Sequence, residues 1–430
     1  MGQPIVAYSS KQTFVRIVLG AAILAALLFA WFSVRWQLGN MLAELTPLDQ
    51  PNAAEVAQLA TRLAPSDPMP MWLSATKEKE VFDPVSIENS VKKFENIVRL
   101  SPYDFRWWIE LGRSYEQAEK PEQAERAFQR AVELAPTYTF PHWQFGNFYL
   151  RQNRSDEAFA ELRRTTEQSI VYREQVFSLA WDYFDKDPEK LEAIAADTPD
   201  VRANLASFYS LRGSAENALR VWNALSPEDK ERNAKYAPVI AQVLHDKKRF
   251  REALEFSRQA GIDPESVPET VSNGGFEKFI GPHEGVLFGW AVFRNDGKLD
   301  IAADSSVKAE GARSLRLSFK GYNKPELYNT VQTVAVEPGS RYRLSFQLRT
   351  ENLRSGGMPF VQVANPTDGS QIAVSEAFPD GSADWQAVTI EFTVPQNTDG
   401  ISLRTSRTSC GEMCPINGIV WYDNFQLTRM

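Results

Sequence analysis

The chain has 430 residues, 43% of them hydrophobic and 24% charged, a composition typical of globular domains rather than of disordered segments. Its formal net charge of −8 argues against a nucleic-acid partner, because phosphate binding needs a clustered excess of Lys and Arg. Its only cysteines, Cys410 and Cys414, are too few for a disulfide scaffold or, without a neighbouring His, for a tetrahedral zinc site. The length leaves room for about two or three domains.

An uncharged apolar stretch runs from Ile17 to Val34, close to the length of helix that crosses a bilayer. We predict a transmembrane helix over residues 14–36, preceded by a short cytoplasmic tail at residues 1–13. A cleaved signal peptide is the alternative. The stretch is longer than a usual signal-peptide core, and no clear small-x-small cleavage site follows it, which favours an uncleaved anchor.

The orientation of this segment follows from the charges that flank it. Lys11, Arg16 and the amino terminus precede it, whereas Arg35 is the only basic residue close behind it. The positive-inside rule then predicts a single-pass protein with its N-terminus in the cytoplasm and the bulk of the chain on the other side of the membrane. From the architecture of the whole chain we expect this membrane to be a bacterial inner membrane, which places the bulk of the chain in the periplasm. Trp31 and Trp36 suit the headgroup layer at the trailing end.

Residues 37–266 have helical periodicity, with Pro at recurring stops. One set of positions combines small, aromatic and branched residues at fixed spacing: Trp108, Leu111, Gly112, Tyr115, Ala124, Phe128, Ala131 and Pro136. In identity and spacing these positions resemble the tetratricopeptide repeat signature. The register recurs one repeat later at Gly146, Tyr149, Ala158 and Leu162. The resemblance implies a helical solenoid of about five to six units, with residues 166–200 as the poorest fit.

A solenoid of this kind is a binding surface rather than a reaction centre. We expect its concave groove to hold a peptide or a helix of a protein partner. The alternative is a spacer that lifts the next domain away from the membrane.

Beyond Pro268 the helix formers give way to Gly, Ser, Thr and Val, and short alternating runs lie between turn residues. Apolar residues alternate in runs that can face one shared core: 315–319, 342–348, 388–394 and 421–427. Residues 267–430 are therefore predicted to form an all-β sandwich.

Short motifs are spaced through this region: NGGFE at 273–277, GARSLRL at 311–317 and WYDN at 421–424. Together they resemble carbohydrate-binding modules of the kind appended to xylanases and laminarinases, which share a jelly-roll fold with galactose-binding-like domains. The resemblance implies the fold more firmly than the ligand. It also implies a structural calcium ion held by Glu277 and Asp423, for which ordinary capping or hydrogen-bonding roles are the alternative.

Sugar recognition needs flat aromatic faces for pyranose rings and planar polar side chains for hydroxyl groups. Strand parity predicts suitable polar residues opposite the core, and connecting segments carry suitable aromatic residues: Arg343, Gln347, Gln362 and Arg404, with Tyr322, Tyr328 and Phe378. For each polar position a merely solvated sheet face is the alternative. Trp290, Trp385 and Trp421 are predicted to lie in the core.

The cysteines Cys410 and Cys414 can close a small disulfide loop if this domain lies outside the cytoplasm. Their three-residue spacing and their place between two predicted strands disfavour a redox role.

The sequence contains no phosphate-binding Gly-rich loop ending in Lys and Ser or Thr, no HExxH and no GxSxG, so we predict that the protein is not an enzyme. The predicted function is that of a membrane-anchored envelope adaptor in surface polysaccharide synthesis, export or assembly. It would bind a protein partner through its repeats and an exopolysaccharide through its sandwich. The alternatives are a structural protein scaffold without glycan binding and, less favoured, a glycan-processing enzyme. No cofactor beyond the calcium ion is expected.

Overall fold

The structure, a computed structural model, describes the chain except for a few short segments. The described residues are 13–81, 83–278, 280, 287–293, 297–323, 327, 329–408, 410–411 and 414–430. The predicted fold class is confirmed, because a long apolar helix precedes a helical repeat region and a β-sandwich of two antiparallel sheets. The chain divides into two compact units, Met1–Ala196 and Asp197–Met430.

The first unit contains the helices α1 to α10. Their bounds are α1 (Thr13–Glu44), α2 (Ala53–Leu63), α3 (Pro68–Lys79), α4 (Pro84–Leu100), α5 (Phe105–Gln117), α6 (Pro121–Leu134), α7 (Thr139–Arg151), α8 (Ser155–Gln168), α9 (Ile170–Tyr183) and α10 (Pro188–Ile194). Several begin after an Asp whose carboxylate accepts backbone N–H groups of the first turn: Asp67, Asp83, Asp104 and Asp187.

Helix α1 extends beyond the predicted transmembrane segment. An 18-residue stretch within Phe14–Glu44 has a mean hydropathy of 2.5, and the helix is long and apolar enough for a membrane anchor or a signal sequence. The helix continues past Trp36 because its last turns pack on α2 and the turn that follows. Gly39 makes this approach possible, since a Cβ atom there would lie 2.7 Å from the Cβ atom of Ala64. The Asn40 amide donates to the Asp67 carboxylate at 3.1 Å.

The predicted repeat residues occupy the crossings between paired helices. Gly112 on α5 faces the ring of Phe128 on α6, and Gly146 on α7 faces Leu162 on α8, each with too little room for a Cβ atom. Phe128 is fully buried, and its ring centroid lies 5.2 Å from that of Phe148 in the next pair. The poorly matching region after residue 166 is also helical, forming the short pair α9 and α10.

The second unit begins with further helices and continues into the sandwich. The helices are α11 (Pro199–Leu211), α12 (Ala215–Asn223), α13 (Pro227–Arg232), α14 (Ala237–Asp246) and α15 (Phe250–Gln259), with a 3-10 turn at Ala234–Tyr236. The strands are β1 (Ala291–Val292), β2 (Leu299–Asp304), β3 (Ser314–Tyr322), β4 (Thr330–Ala335), β5 (Arg341–Arg354), β6 (Pro359–Ala364), β7 (Gln371–Val374), β8 (Gly381–Thr393), β9 (Gly400–Arg407) and β10 (Ile416–Arg429).

The strands form two five-stranded sheets. Sheet A has the order β1-β4-β9-β6-β7, and sheet B has the order β2-β3-β10-β5-β8. Alternate side chains of both sheets fill one core, whose large members include Trp290, Tyr342, Phe346, Tyr422 and Phe425. The predicted sharing of one core by the alternating runs therefore holds except at Trp421, which is absent from that core.

The last repeat helix is attached to the sandwich. The backbone N–H groups of Phe250 and Arg251, at the start of α15, donate to the Asp399 carboxylate at 3.1 and 3.0 Å. The Phe250 ring packs on Gly400, where a Cβ atom would lie 2.5 Å from it. The connection before β9 thus supplies the N-cap of α15 from a distant part of the sequence.

Candidate carbohydrate-binding face

The outer face of sheet A is identified by the alternation of side chains along β9. Ile401 and Leu403 belong to the core. Gly400, Ser402 and Arg404 must therefore point to the opposite side. The strand register extends this face to the neighbouring strands.

One row of aligned residues crosses the middle of this face. Val331, Arg404, Gln362 and Val374 are successive partners on β4, β9, β6 and β7. Arg404 Nε donates to Gln362 Oε1 at 2.8 Å, so a guanidinium and an amide lie side by side with a fixed orientation. A second guanidinium nitrogen donates to the backbone carbonyl of Gly369 at 3.2 Å. The row therefore has two polar residues, Arg404 and Gln362, at its centre and a valine at each end.

The adjacent rows add an aromatic ring and hydroxyl residues, of which Ser402 and Ser406 are buried. Phe360 pairs with Ser406 on one side of the central row, and Thr333 pairs with Ser402 on the other side. Phe360 is half-buried. Phe360 was not among the residues predicted from the sequence, although it has the same parity as Gln362 in the run PFVQVA.

The end of the face is closed by the helical part of the same unit. Gly400 points outward, and the Phe250 ring covers it. Ala335, its partner on β4, is 1% exposed. On the rest of the face Arg404 and Phe360 are partly exposed, whereas Gln362 is only 7% exposed. The Gln362 amide accepts from Arg404 and donates to Gln371, so it supports Arg404 from below the surface.

The structure separates the four predicted polar residues into two groups. Gln362 and Arg404 are hydrogen-bonded to each other on sheet A. Arg343 and Gln347 lie on β5 in sheet B, so they cannot contribute to the same binding face. Arg343 is paired with Glu391 across the strands at 2.7 Å, and this hydrogen bond is the main cause that lowers the pKa of the Glu391 carboxyl.

The predicted aromatic contacts need correction. Tyr322 is the last residue of β3 rather than part of a connecting segment, and it is 3% exposed with its hydroxyl donating to Asn329. Phe378 is also 3% exposed and packs near Tyr422. Both rings belong to the core, so their faces are not available to a ligand. Tyr328 lies outside the described residues.

The tryptophans also differ from the expectation. Trp290 packs in the core as predicted. Trp421 is buried but lies on the outer side of sheet B, because its neighbours Val420 and Tyr422 are the ones that join the core. The guanidinium of Arg349 covers its ring at 5.6 Å, and its Nε1 donates to Asp304 at 3.0 Å. Trp385 is half-buried on the edge strand β8.

The two carboxylates expected at a calcium ion converge on one loop. Glu277 accepts the backbone N–H of Ala312 at 2.8 Å, and Asp423 accepts that of Ala309 at 2.8 Å. Gly311 is required between them, because a Cβ atom there would lie 1.9 Å from Glu277 Oε1. Within the described part of the chain, no group of three or more His, Cys, Asp or Glu side chains is arranged to hold a metal.

These hydrogen bonds give both carboxylates a capping role. The positive ends of the N–H dipoles stabilise the negative charge on the carboxylate oxygens. The calcium ion remains a prediction of the family resemblance.

Cys410 and Cys414 form a disulfide, with their Cα atoms 5.8 Å apart. It closes a small loop immediately before β10. Ser355 and Gly356 on the opposite connection lie against it.

Comparison with known families agrees with this architecture. Residues 268–408 match the family of carbohydrate binding domains of types 4 and 9, and residues 105–138 match the tetratricopeptide repeat family. The chain therefore carries tetratricopeptide repeats, a C-terminal carbohydrate-binding domain and an N-terminal apolar helix. Both matched families are non-catalytic domains.

Solved structures give more distant likenesses. A structure described as "CBM4 structure and function" is 13% identical over 37% of this chain and 99% of its own, with a TM-score of 0.29. A thermophilic tetratricopeptide repeat protein of Thermus thermophilus is 19% identical over 52% of this chain and 99% of its own, with a TM-score of 0.27. MamA of Desulfovibrio magneticus is 23% identical over 32% of this chain and 75% of its own, with a TM-score of 0.27. No curated protein sequence matches the chain.

Proposed function

We propose that this protein is a membrane-anchored adaptor of the bacterial envelope, which binds a glycan on the outer face of sheet A and a protein partner through its repeats. The observation that carries the proposal is the central row of sheet A, where Arg404 and Gln362 are held together at 2.8 Å within a domain matched to carbohydrate-binding families. The proposed setting is the synthesis, export or assembly of a surface polysaccharide.

The chemistry of this face suits a sugar. The Arg404 guanidinium is a planar group that can bond to pairs of hydroxyl oxygens, and its hydrogen bond to the buried Gln362 amide reduces the rotamer freedom that binding would otherwise cost. Phe360 offers a partly exposed ring beside them for the apolar face of a pyranose. Arg404 also provides a positive charge that favours acidic sugars.

Glycan binding can be tested with the full chain in a detergent that has no sugar headgroup. We would screen oligosaccharides of β-1,4-glucan, β-1,3-glucan, xylan and hexuronic acids, and then measure the best ligand by calorimetry. Arg404→Gln is expected to weaken binding about tenfold or more, because it removes a charged hydrogen bond worth about 1.5–3 kcal/mol. Gln362→Ala is expected to weaken binding less, because it only releases the Arg404 guanidinium from its fixed orientation.

The sheet B residues Gln347 and Arg343 provide the matched control, because they carry the same chemistry on the other sheet. Gln347→Ala and Arg343→Gln should leave the affinity within about twofold, a change below about 0.5 kcal/mol. Weakening by the sheet B pair alone would move the site to that sheet. Absence of binding to every probe would favour the structural scaffold.

The periplasmic location is supported by two features. The α1 helix is long and apolar enough to be an anchor, with more basic residues before it than directly after it. The disulfide between Cys410 and Cys414 is of a kind that persists in oxidising compartments. Alkaline phosphatase is active only outside the cytoplasm, so its fusion after Met430 should be active in cells. Activity of a reporter that works only in the cytoplasm, fused at the same place, would show the opposite orientation.

Protein binding is proposed for the repeats because the matched repeat family forms partner-binding surfaces. The helices α5 and α7 carry aromatic and charged side chains that remain partly exposed, including Phe140, Arg113 and Arg151. Crosslinking in cells from position 140 should capture a protein, whereas capture only of the same chain would favour self-association.

A further inference from the structure

A groove lies between helix α1 and the turn that joins α2 to α3. Phe29, Phe32 and Trp36 line it on the helix side, and Leu63 and Pro65 line it on the other side. Its volume is about 380 Å³, within the range of sites for small ligands. We call these residues, with Arg35, Ser33 and Ser66, the juxtamembrane groove.

The position of the groove follows from the length of the anchor. A hydrocarbon core of about 30 Å is crossed by about 20 helical residues, so a span that begins at Phe14 ends near Val34. Phe29 and Phe32 then lie inside the hydrocarbon, and Trp36 lies at the headgroups, where tryptophan is enriched. The groove therefore crosses the boundary between acyl chains and headgroups.

The two walls are held together by specific contacts. The Arg35 guanidinium donates to the Arg62 carbonyl at 2.5 Å, and Asn40 donates to Asp67. Gly39 allows α1 to approach Ala64 closely. Leu63 and Pro65 are thereby fixed beside the anchor as it emerges from the bilayer.

The charges at the groove identify the chemistry of its occupant. Its lining residues include the cation Arg35 and no acidic side chain, and Arg62 is exposed next to it. The nearby Asp67 is 2% exposed, and its carboxylate accepts the N–H groups of Asn40 and Met69. An apolar groove with a cation at its edge complements an acyl chain that is attached to a phosphate. It disfavours a headgroup that also carries a positively charged nitrogen.

We infer that the juxtamembrane groove binds one anionic phospholipid of the outer leaflet. The headgroup end of one acyl chain would lie between Phe32 and Leu63, and the phosphate would lie at Arg35. This inference rests on the proposed membrane anchoring. Such a lipid would complete the packing between the anchor and the first helices that follow it.

Native mass spectrometry of the full chain provides the test, with palmitoyl-oleoyl phosphatidylglycerol and phosphatidylcholine as probes. The wild type is expected to retain one phosphatidylglycerol per chain, at least fivefold in preference to phosphatidylcholine. Arg35→Gln should abolish this preference. Ser66→Glu should do the same by adding a negative charge to the groove without removing any of the contacts between its walls.

Arg99→Gln is the matched control, because Arg99 is exposed on α4 and does not line the groove. It should retain phosphatidylglycerol as the wild type does. Equal retention of the two lipids by the wild type, or unchanged retention by both groove variants, would overturn the inference. Retention of inorganic phosphate in place of the lipid would also overturn it.

Failure of the anchor itself would look different. The intact mass of the membrane-extracted protein shows whether residues before Trp36 are present, and alkaline carbonate extraction shows whether the chain is embedded. A cleaved α1 would remove one wall of the groove and overturn both proposals. An intact, embedded chain without a lipid preference would overturn only the lipid site.

Discussion

The contacts that stabilise the repeat region join residues close in the sequence, whereas those that stabilise the sandwich join residues far apart in it. In the repeats, Gly112 meets Phe128 on the next helix, and Phe128 meets Phe148 in the next pair. In the sandwich, β10 pairs with both β3 and β5, which lie far from it in the sequence. Contacts in a solenoid join neighbours alone, whereas those of a sandwich core are shared by all its strands.

This difference determines how far a local disturbance spreads. Removing a side chain from a repeat is expected to loosen its own pair and the adjacent ones, because a solenoid behaves as a chain of coupled units. Removing one from the sandwich core is expected to weaken the whole domain, which unfolds as one cooperative structure.

The largest expected effect comes from two matched core truncations. Phe128→Ala and Phe346→Ala should each cost about 3–5 kcal/mol, because both rings are almost fully buried. Hydrogen exchange followed by mass spectrometry should show faster exchange of α5 to α8 in the first variant and of all the sandwich strands in the second. Faster exchange confined to β5 in Phe346→Ala would contradict the proposed difference.

A smaller effect is expected from removing the Asp399 carboxylate, which caps helix α15 from the sandwich. Asp399→Ala should cost about 1–2 kcal/mol, because it leaves the N–H groups of Phe250 and Arg251 without their acceptor. Hydrogen exchange should then increase in α15. Asp187→Ala is the control, since Asp187 caps α10 from an adjacent position, and it should affect α10 alone. An unchanged α15 in Asp399→Ala would show that the long-range cap does not stabilise it.

A pH-dependent effect is expected in the repeats. Burial opposes the charged form of His142, but its hydrogen bonds to Glu161 at 2.5 Å and to the Pro136 carbonyl outweigh burial and raise its pKa above 6.5. The stabilisation is therefore complete below pH 6.5 and is lost as the pH rises through the higher pKa of the folded state. Thermal melts of the wild type from about pH 6 to 8 should show this loss, and His142→Gln should flatten it. A melting temperature that rises with pH would contradict the assignment.

The sandwich should respond to pH with the opposite sign at Asp304. Burial acts to raise the pKa of this carboxyl, but the hydrogen bonds from Trp421 and the backbone of Ser306 outweigh it and lower the pKa below 3.8. Its stabilisation is present above pH 3.8 and is lost as the pH falls through the lower pKa. Trp421→Phe should reduce the acid sensitivity of the sandwich, as measured by near-ultraviolet circular dichroism between about pH 2 and 5. Unchanged acid unfolding would show that the bond contributes nothing.

The smallest expected effect concerns the loop between Ala309 and Arg313. Glu277→Ala should cost about 1 kcal/mol by removing the acceptor for the Ala312 N–H group, equally with calcium or with a chelator present. Differential scanning calorimetry under both conditions checks this. A calcium-dependent rise in melting temperature that Glu277→Ala abolishes would show instead that the predicted ion is bound.

The same contrast explains how much the sequence could predict. The roles of Gly112 and Phe128 follow from spacing, because their contact is set by the repeat geometry itself. The extension of α1 to Glu44 was not predicted, since it depends on the packing of Gly39 against α2 rather than on hydropathy.

In the sandwich, parity predicts only whether a side chain faces the core. It placed Arg404 and Arg343 correctly on outer faces, yet it could not assign them to different sheets, because strand order is decided by long-range pairing. The prediction that Tyr322 and Phe378 contact a ligand is wrong for the same reason, since burial of their rings depends on strands remote in sequence.

Flotation of proteoliposomes would show whether one chain connects a membrane to a glycan. The full chain would be reconstituted into phosphatidylglycerol-containing vesicles and mixed with the labelled polysaccharide whose oligomers bind best. We expect the polysaccharide to float with vesicles that carry the wild type or Arg343→Gln, and to remain at the bottom with Arg404→Gln. Polysaccharide that floats equally well with Arg404→Gln, or that does not float with the wild type, would contradict the proposed adaptor.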